Sequence, residues 1–162
     1  MNAIDLLVTQ HRSIETALQQ VLDTDDEAAR ARGFAAVADL LTVHIASEEE
    51  IFYPAVRAGR TEGILLESLE EHLSLKRLLA DLIALDPREQ TFVPKYKVLK
   101  EQSEHHHEEE EEHLFPQASE LLGSAELDRL ATQMLGLQQR LRSEGAPREA
   151  MPEQTDKAAP LK

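Results

Sequence analysis

The sequence contains no cysteine, and this absence removes several kinds of chemistry at once. Without thiols, the chain cannot form disulfides, hold an iron–sulfur cluster through cysteine or use a thiol nucleophile. Glycine and proline are few, with 6 and 7 residues among 162, and aromatic residues make up only 4%. Leu, Ala and Glu are abundant instead, and all three favour helices. We therefore expect a helical chain, long enough to build one domain around a hydrophobic core.

Positive charge is also scarce, because 17 Lys and Arg residues face 31 Asp and Glu residues, which gives a formal net charge of −14. Such a chain repels nucleic acid and anionic membranes, so we expect neither as a partner, whereas cations are natural ligands. No apolar run reaches the roughly 20 residues of a transmembrane helix, and the N-terminus has no signal-peptide pattern. These features predict a cytoplasmic protein.

Apolar residues recur with helical spacing in five segments, which begin near residues 2, 27, 61, 94 and 124. Thr24 and Glu27 can form a capping box at the start of the second segment. The connections are short, so the pattern predicts an all-α, up-down-up-down four-helix bundle with an additional C-terminal helix, over residues 1–144. Residues 145–162 contain three prolines and almost no periodicity, and we expect a disordered tail there.

One acidic motif occurs twice, as HIASEEEIFYP over residues 44–54 and as HHEEEEEHLFP over residues 106–116. In both copies a histidine precedes a glutamate by four residues, and an aromatic residue followed by proline ends the run. Residues four apart lie on one face of a helix, so the imidazole and the carboxylate converge. Two such pairs on separate helices indicate a metal site.

Two further histidines, His11 and His72, lie in phase with the apolar stripes of the first and third helices. The bundle therefore places one histidine from each helix, together with two glutamates, in its interior. Buried and unpaired, such groups would cost several kcal/mol each, and a bound metal removes that cost. Imidazoles and carboxylates without a thiolate suit iron, manganese or zinc. The predicted metal ligands are His11, His44, Glu48, His72, His106 and Glu110.

Other residues of the second acidic run leave alternatives open. Glu109, three residues after His106, is an alternative ligand, although the repeat favours Glu110 because Ser47 is the counterpart of Glu109. His113 lies on the inner face and is either a fifth histidine near the site or a solvated residue at the bundle end. The remaining members, expected on the surface, are His105, His107, Glu108, Glu111 and Glu112.

As a set, these motifs resemble the hemerythrin-like, HHE cation-binding family. That family has a histidine on its first helix, H-x-x-x-E on its second, a histidine on its third and H-x-x-x-E on its fourth, with an aromatic residue and proline after the acidic runs. The resemblance covers about residues 1–123. It implies a non-haem centre of two iron ions, held by the six residues named above, with carboxylate bridges and an oxo or hydroxo bridge.

Lys76 departs from the oxygen-carrying members, which have a second histidine four residues after the third-helix histidine. An ammonium group does not ligate iron, so about two of roughly twelve coordination positions would stay open. This favours an enzyme that disproportionates hydrogen peroxide or reduces nitric oxide. The alternative is a protein that binds, stores or senses dioxygen or iron without catalysis. Lys76 is either a pocket residue or extends out of the bundle.

We expect the protein to be a monomer or a homodimer.

Overall fold

Four long helices joined by short loops form a closed ring in the computed structural model, which describes residues 1–162. The first helix packs against the second and the fourth, and the third packs against the fourth and, to a smaller extent, the second. A fifth helix covers the first and second. The predicted all-α bundle with an additional helix is confirmed. The helices are α1 (Ala3–Leu22), α2 (Glu27–Ser47), α3 (Glu62–Ala84), α4 (Phe92–Glu109) and α5 (Ser124–Ser143).

The start of α2 differs from the predicted capping box. Asp26 is the N-cap, and its carboxylate accepts a hydrogen bond from the backbone N–H of Ala29 at 2.8 Å. The hydroxyl of Thr24 instead donates to the carbonyl of Gln20 at 2.6 Å, and thereby closes the end of α1. Aspartate is as good an N-cap as threonine or better, so the helix is capped two residues later than predicted.

Both copies of the acidic motif end in a π-helical turn. The helix α2 continues through Glu48–Phe52 in this form, and α4 continues through Glu110–Leu114. The residue before each proline, Tyr53 or Phe115, donates its N–H to the carbonyl five residues earlier. Proline lacks an N–H and its ring clashes with the carbonyl four residues before it, which disfavours a regular α-helical turn. The internal repeat thus extends to the backbone, and π turns are frequent at functional sites.

Two apolar layers fill the bundle, with a polar layer between them. One layer includes Leu7 and Leu69, and the other includes Ile14 and Leu75, all buried. Along each of α1 and α3, the inward-facing histidine therefore lies between an apolar residue of one layer and an apolar residue of the other. This position seals the polar layer from water above and below, which strengthens every electrostatic interaction within it.

The structure differs from the predicted disordered tail. Pro147–Gln154 forms a 3₁₀ helix that packs against α2 and α3. Met151 is 1% exposed and joins the apolar layer of Ile14, while Arg148 pairs with Asp39 at 2.9 Å. One buried methionine anchors the segment, and a single apolar residue leaves no periodic signal in a sequence.

None of the helices is both long and apolar enough to cross a lipid bilayer.

Candidate metal centre

All six predicted ligands meet in the polar layer of the bundle. None of them is more than 1% exposed. They come from the four helices of the ring and from the two π-helical turns, so no single local motif forms the site. The six are His11 of α1, His44 of α2, Glu48 of the first π turn, His72 of α3, His106 of α4 and Glu110 of the second π turn.

Glu48 lies between two histidines that come from different helices. Its Oε1 atom is 3.4 Å from Nε2 of His44 and 3.2 Å from Nε2 of His72. Its other oxygen, Oε2, is buried without a hydrogen-bond partner. Helical bundles that bind two metal ions use inward-projecting carboxylates of this kind. Glu48 is therefore placed to bridge two cations.

Glu110 repeats this arrangement with the other two histidines. Its Oε1 atom is 3.3 Å from Nε2 of His11 and 3.4 Å from Nε2 of His106. Its Oε2 atom accepts a hydrogen bond of 2.7 Å from the hydroxyl of Tyr53. Each carboxylate thus lies between one histidine from α1 or α2 and one histidine from α3 or α4.

The donor atoms sort into two neighbouring groups. In the first group, the ligand atoms of His11 and His44 lie within 4.8 Å of each other and of both carboxylates. We call this the His11–His44 position. In the second group, which shares Glu48, the Nε2 atoms of His72 and His106 are 3.0 Å apart. We call this the His72–His106 position.

Each of the four predicted histidines turns Nε2 inward because its Nδ1 is held from outside. Such outer hydrogen bonds fix the ring orientation and increase the basicity of the ligating nitrogen. The Nε2 atoms of His11 and His44 have no hydrogen-bond partner in the protein, as expected of nitrogens that hold a cation. The outer partners are Glu111 for His11 at 2.8 Å, Gln10 for His44 at 2.9 Å, Glu49 for His72 at 2.9 Å and Glu71 for His106 at 3.0 Å.

Sequence reasoning missed these outer partners, although a simple signal marks them. Each one is adjacent in sequence to a predicted ligand: Gln10 and Glu71 precede a histidine, and Glu49 and Glu111 follow a glutamate. Glu111 was expected on a solvated face. Its carboxylate is instead shared between His11 and Arg12.

Lys76 is neither in the ligand layer nor extended into solvent. It is 2% exposed, and its Nζ lies 2.8 Å from Oε1 of Glu49. The other oxygen of Glu49 holds His72. Lys76 therefore contacts the site only through Glu49 and places no imidazole in the ligand layer.

The structure also differs from the prediction at His107, which was expected on the surface but is buried. It is 1% exposed and stacks on His11, with ring centroids 3.8 Å apart and an angle of 7° between the planes. The packing of α4 against both α1 and α3 covers two adjacent residues, so His106 faces α3 and His107 faces α1. His105 is exposed as expected.

The remaining members of the acidic run lie outside the site. His113 is 57% exposed and has only Glu109 and Glu112 near its Nε2. Glu109 is itself 45% exposed, so the inward carboxylate is Glu110. Of the two alternatives for His113, the structure favours the solvated residue.

Tyr53 distinguishes the two positions. Its ring packs on His72 at 5.4 Å between centroids, and Phe115, its counterpart in the repeat, packs on His11 at 5.7 Å. Only Tyr53 has a hydroxyl, which lies 3.2 Å from Nε2 of His72. The two positions are thus similar in shape but different in chemistry, with a phenol group beside the His72–His106 position alone.

Burial favours the neutral form, which can bind a cation, at two of the four inward histidines. Burial, followed by the neighbouring His11, lowers the pKa of His44 well below its ordinary value. Burial also lowers the pKa of His72, although Glu49 opposes the shift. Burial and then Glu110 raise the pKa of Glu48 well above its ordinary value. Neutral imidazoles offer free lone pairs, and a bound cation removes the cost of ionising Glu48.

Comparisons with known proteins agree with this geometry. Residues 2–118 match the family described as hemerythrin HHE cation binding domain. A crystal structure of a hemerythrin HHE cation binding domain-containing protein from Mycobacterium kansasii, an Rv2633c homolog, superimposes with a TM-score of 0.78 at 22% identity and covers 89% of both chains. A protein from Nostoc sp. (strain PCC 7120) named DNA nickase is 28% identical over 145 residues, which are 87% of this chain but 41% of that protein. Since the family match spans residues 2–118, which include both acidic motifs and all six inward histidines and glutamates, the chain belongs to the hemerythrin HHE cation-binding domain family.

Proposed function

We propose that the chain is a non-haem di-iron protein that disproportionates hydrogen peroxide. The observation that carries the proposal is the hydroxyl of Tyr53, which is buried between Glu110 and His72 at the position that lacks a further histidine. The buried donor set of four imidazoles and two shared carboxylates fits two iron ions. His11 and His44 would hold one ion, His72 and His106 the other, and Glu48 and Glu110 would bridge them.

The reaction balances over two half-reactions of one catalytic cycle. One hydrogen peroxide takes up two electrons and two protons and becomes two waters, and a second gives up two electrons and two protons and becomes dioxygen. The iron pair would supply the two electrons and take them back. The protein must therefore deliver protons in one half-reaction and accept them in the other.

Tyr53 is placed to handle these protons. Burial, together with Glu110 and Glu48, raises the pKa of Tyr53 well above its ordinary value, so the hydroxyl keeps its proton at neutral pH. It donates that proton into a hydrogen bond with Glu110. A phenol in this position can orient a peroxide molecule and pass a proton between it and Glu110. The apolar layers on either side exclude bulk water from this transfer.

A second candidate function is reversible binding or sensing of dioxygen, or storage of iron. The six buried inward groups support it as well, because they would hold iron whether or not peroxide is turned over. If the protein is an enzyme, nitric oxide is an alternative substrate.

The name of the Nostoc protein implies DNA nicking, but the net charge of −14 in this chain opposes contact with a phosphate backbone. We propose a cytoplasmic protein, active as a monomer or homodimer.

Oxygen evolution from peroxide, together with iron analysis, tests the proposal. The purified protein should hold about two irons per chain and release dioxygen from hydrogen peroxide. Tyr53→Phe should keep the iron and lose most of the turnover, roughly 10²-fold or more, because a positioned proton donor contributes about that much. Tyr96→Phe is the matched control, since Tyr96 is a buried tyrosine whose hydroxyl donates to the carbonyl of Leu18.

Three results would contradict the proposal or its mechanism. A wild-type protein that gives a stable, reversible oxygen-bound spectrum and no dioxygen from peroxide would favour the second candidate. Stoichiometric zinc without iron, after expression in iron-replete medium, would exclude the redox role. Equal turnover in Tyr53→Phe and Tyr96→Phe would remove Tyr53 from the mechanism.

A further inference from the structure

We propose that His107 is a fifth histidine ligand, which binds the cation at the His11–His44 position. The inference deepens the proposed di-iron centre and rests on it. It assigns to the fourth helix a ligand that the repeated H-x-x-x-E motif does not contain. The observations that carry it are burial, an unpartnered nitrogen and proximity to the two other histidines of that position.

His107 differs from an ordinary core histidine in its hydrogen bonding. It is 1% exposed, and its Nδ1 is buried without any partner. The four other buried histidines each have Nδ1 fixed by a glutamate or a glutamine. An unsatisfied buried imidazole costs stability. A nitrogen left without a partner beside His11 and His44 gives this position a reason to be histidine rather than leucine.

The geometry brings three histidines together at the His11–His44 position. The ligand atoms of His11, His44 and His107 lie within 4.8 Å of one another. The rings of His44 and His107 meet edge to face, with centroids 5.4 Å apart. Three imidazoles around one point form a donor set that suits a divalent transition metal.

The orientation of the His107 ring shows what must change before His107 can bind a cation. The rings of His11 and His107 are parallel within 7°. An imidazole lone pair lies in the plane of its ring, so two parallel stacked rings do not direct their lone pairs to one cation. His107 must therefore turn about its Cβ–Cγ bond when the cation binds. No hydrogen bond holds its Nδ1, so the turn breaks no hydrogen bond at that atom and changes only the ring contacts with His11, His44 and His106.

This ligand would make the two positions unequal. The His11–His44 position would have three histidines and the phenyl ring of Phe115, and the His72–His106 position would have two histidines and the hydroxyl of Tyr53. The open coordination position would then lie on the His72–His106 side alone. Substrate access and proton transfer would coincide at one iron.

Two substitutions separate a ligand from a stacking residue. His107→Phe keeps an aromatic ring against His11 but has no lone pair, whereas His107→Ala removes both. The control is His105→Phe, an exposed histidine two residues earlier on α4. Metal-free proteins would be titrated with ferrous iron under anaerobic conditions, with affinity measured by calorimetry and competition with a chelator, and with folding checked by circular dichroism.

If His107 is a ligand, both variants at this position weaken one of the two iron sites by roughly 10–100-fold or more, the range known for loss of a supporting residue at a metal site. His105→Phe should bind iron like the wild type. Wild-type affinity in His107→Phe with weaker binding in His107→Ala would show that His107 only stacks, and would overturn the inference. Wild-type affinity in both would overturn it as well.

Mössbauer spectra of the protein loaded with ⁵⁷Fe give an independent reading. The wild type should show two distinct iron environments, and His107→Phe should bring them closer together or lose one. A wild-type protein that binds no iron at all would overturn the proposed di-iron centre itself, and the inference with it. Wild-type binding of two equivalent irons would overturn only the role of His107.

Discussion

Lys76 and Glu49 form an ion pair in the interior of the bundle, with Nζ 2.8 Å from Oε1. The second oxygen of the same carboxylate lies 2.9 Å from Nδ1 of His72. Burial acts to raise the pKa of Glu49, but the hydrogen bond from His72 and the charge of Lys76 outweigh it and lower the pKa below its ordinary value. The pair therefore keeps Glu49 ionised, and an ionised Glu49 holds His72 in position for a metal.

Removing the ammonium group should destabilise the protein. Lys76→Met keeps most of the side-chain volume and leaves Glu49 with His72 as its only partner. Loss of one partner from a buried pair costs about 3–5 kcal/mol, and about 1–3 kcal/mol is expected here because Glu49 keeps a second hydrogen bond. Urea unfolding of the metal-free variant measures the change.

The matched control is Lys95→Met, because Lys95 pairs with Asp81 at 3.3 Å on the surface. This substitution should change the free energy of unfolding by no more than about 0.5 kcal/mol. Equal losses in the two variants would show that the interior pair is not stronger than a surface pair. Glu49→Gln should in addition lower iron affinity by roughly 10–100-fold, since it weakens the hold on His72.

The sequence predicted the fold and the inward ligands because both depend on helical periodicity. Residues such as His44 and Glu48, four apart and in phase with an apolar stripe, can only face the interior of a bundle. The repeat of the motif favoured Glu110 over Glu109, and the structure places Glu110 inside.

Sequence reasoning did not reveal what depends on packing between particular helices. His107 is one residue from His106, and only the packing of α4 against both α1 and α3 decides that both are buried. The burial of Lys76 likewise depends on its ion pair with Glu49, which comes from a different part of the chain. Met151 shows the same limit, because one apolar side chain among polar residues predicts nothing until its partner surface is known.

The fifth helix should support the metal centre through Gln138. The Nε2 of Gln138 donates to Oγ of Ser47 at 2.6 Å, and Gln10 donates to Oε1 of Gln138 at 2.8 Å. Gln10 in turn holds Nδ1 of His44. Gln138→Leu should leave buried polar groups unsatisfied, with a loss of about 1–3 kcal/mol in stability and weaker iron binding. The exposed neighbour serves as control, and Gln139→Ala should change neither quantity.

Met151 should contribute to stability as a core residue. Met151→Ala should lower the free energy of unfolding by about 2–3 kcal/mol, in the range for truncation of a buried methionine. Glu153→Ala, on the exposed side of the same 3₁₀ helix, should stay within about 0.5 kcal/mol of the wild type. If the two variants unfold at the same denaturant concentration as the wild type, the segment does not pack on the bundle in solution.

His107 should also make the stability of the metal-free protein depend on pH. Burial, followed by His11 and His44, lowers the pKa of His107 well below its ordinary value of 6.5. As the pH falls through about 6.5, the unfolded chain takes up a proton on this residue and the folded chain does not, so stability decreases. One such group contributes up to about 1.4 kcal/mol per pH unit.

His107→Phe removes this contribution, and the measurement is the difference in unfolding free energy between the variant and the wild type, both metal-free, from about pH 7.5 to about pH 5.5. The variant should gain on the wild type as the pH falls. Glu48 works in the opposite sense, because its raised pKa stabilises the folded state at low pH, but it is present in both proteins and cancels in the difference. His105→Phe, on the exposed side of α4, should show no such gain. A constant difference across the range would mean that His107 can take up a proton in the folded protein, which is incompatible with a nitrogen sealed between α1 and α4.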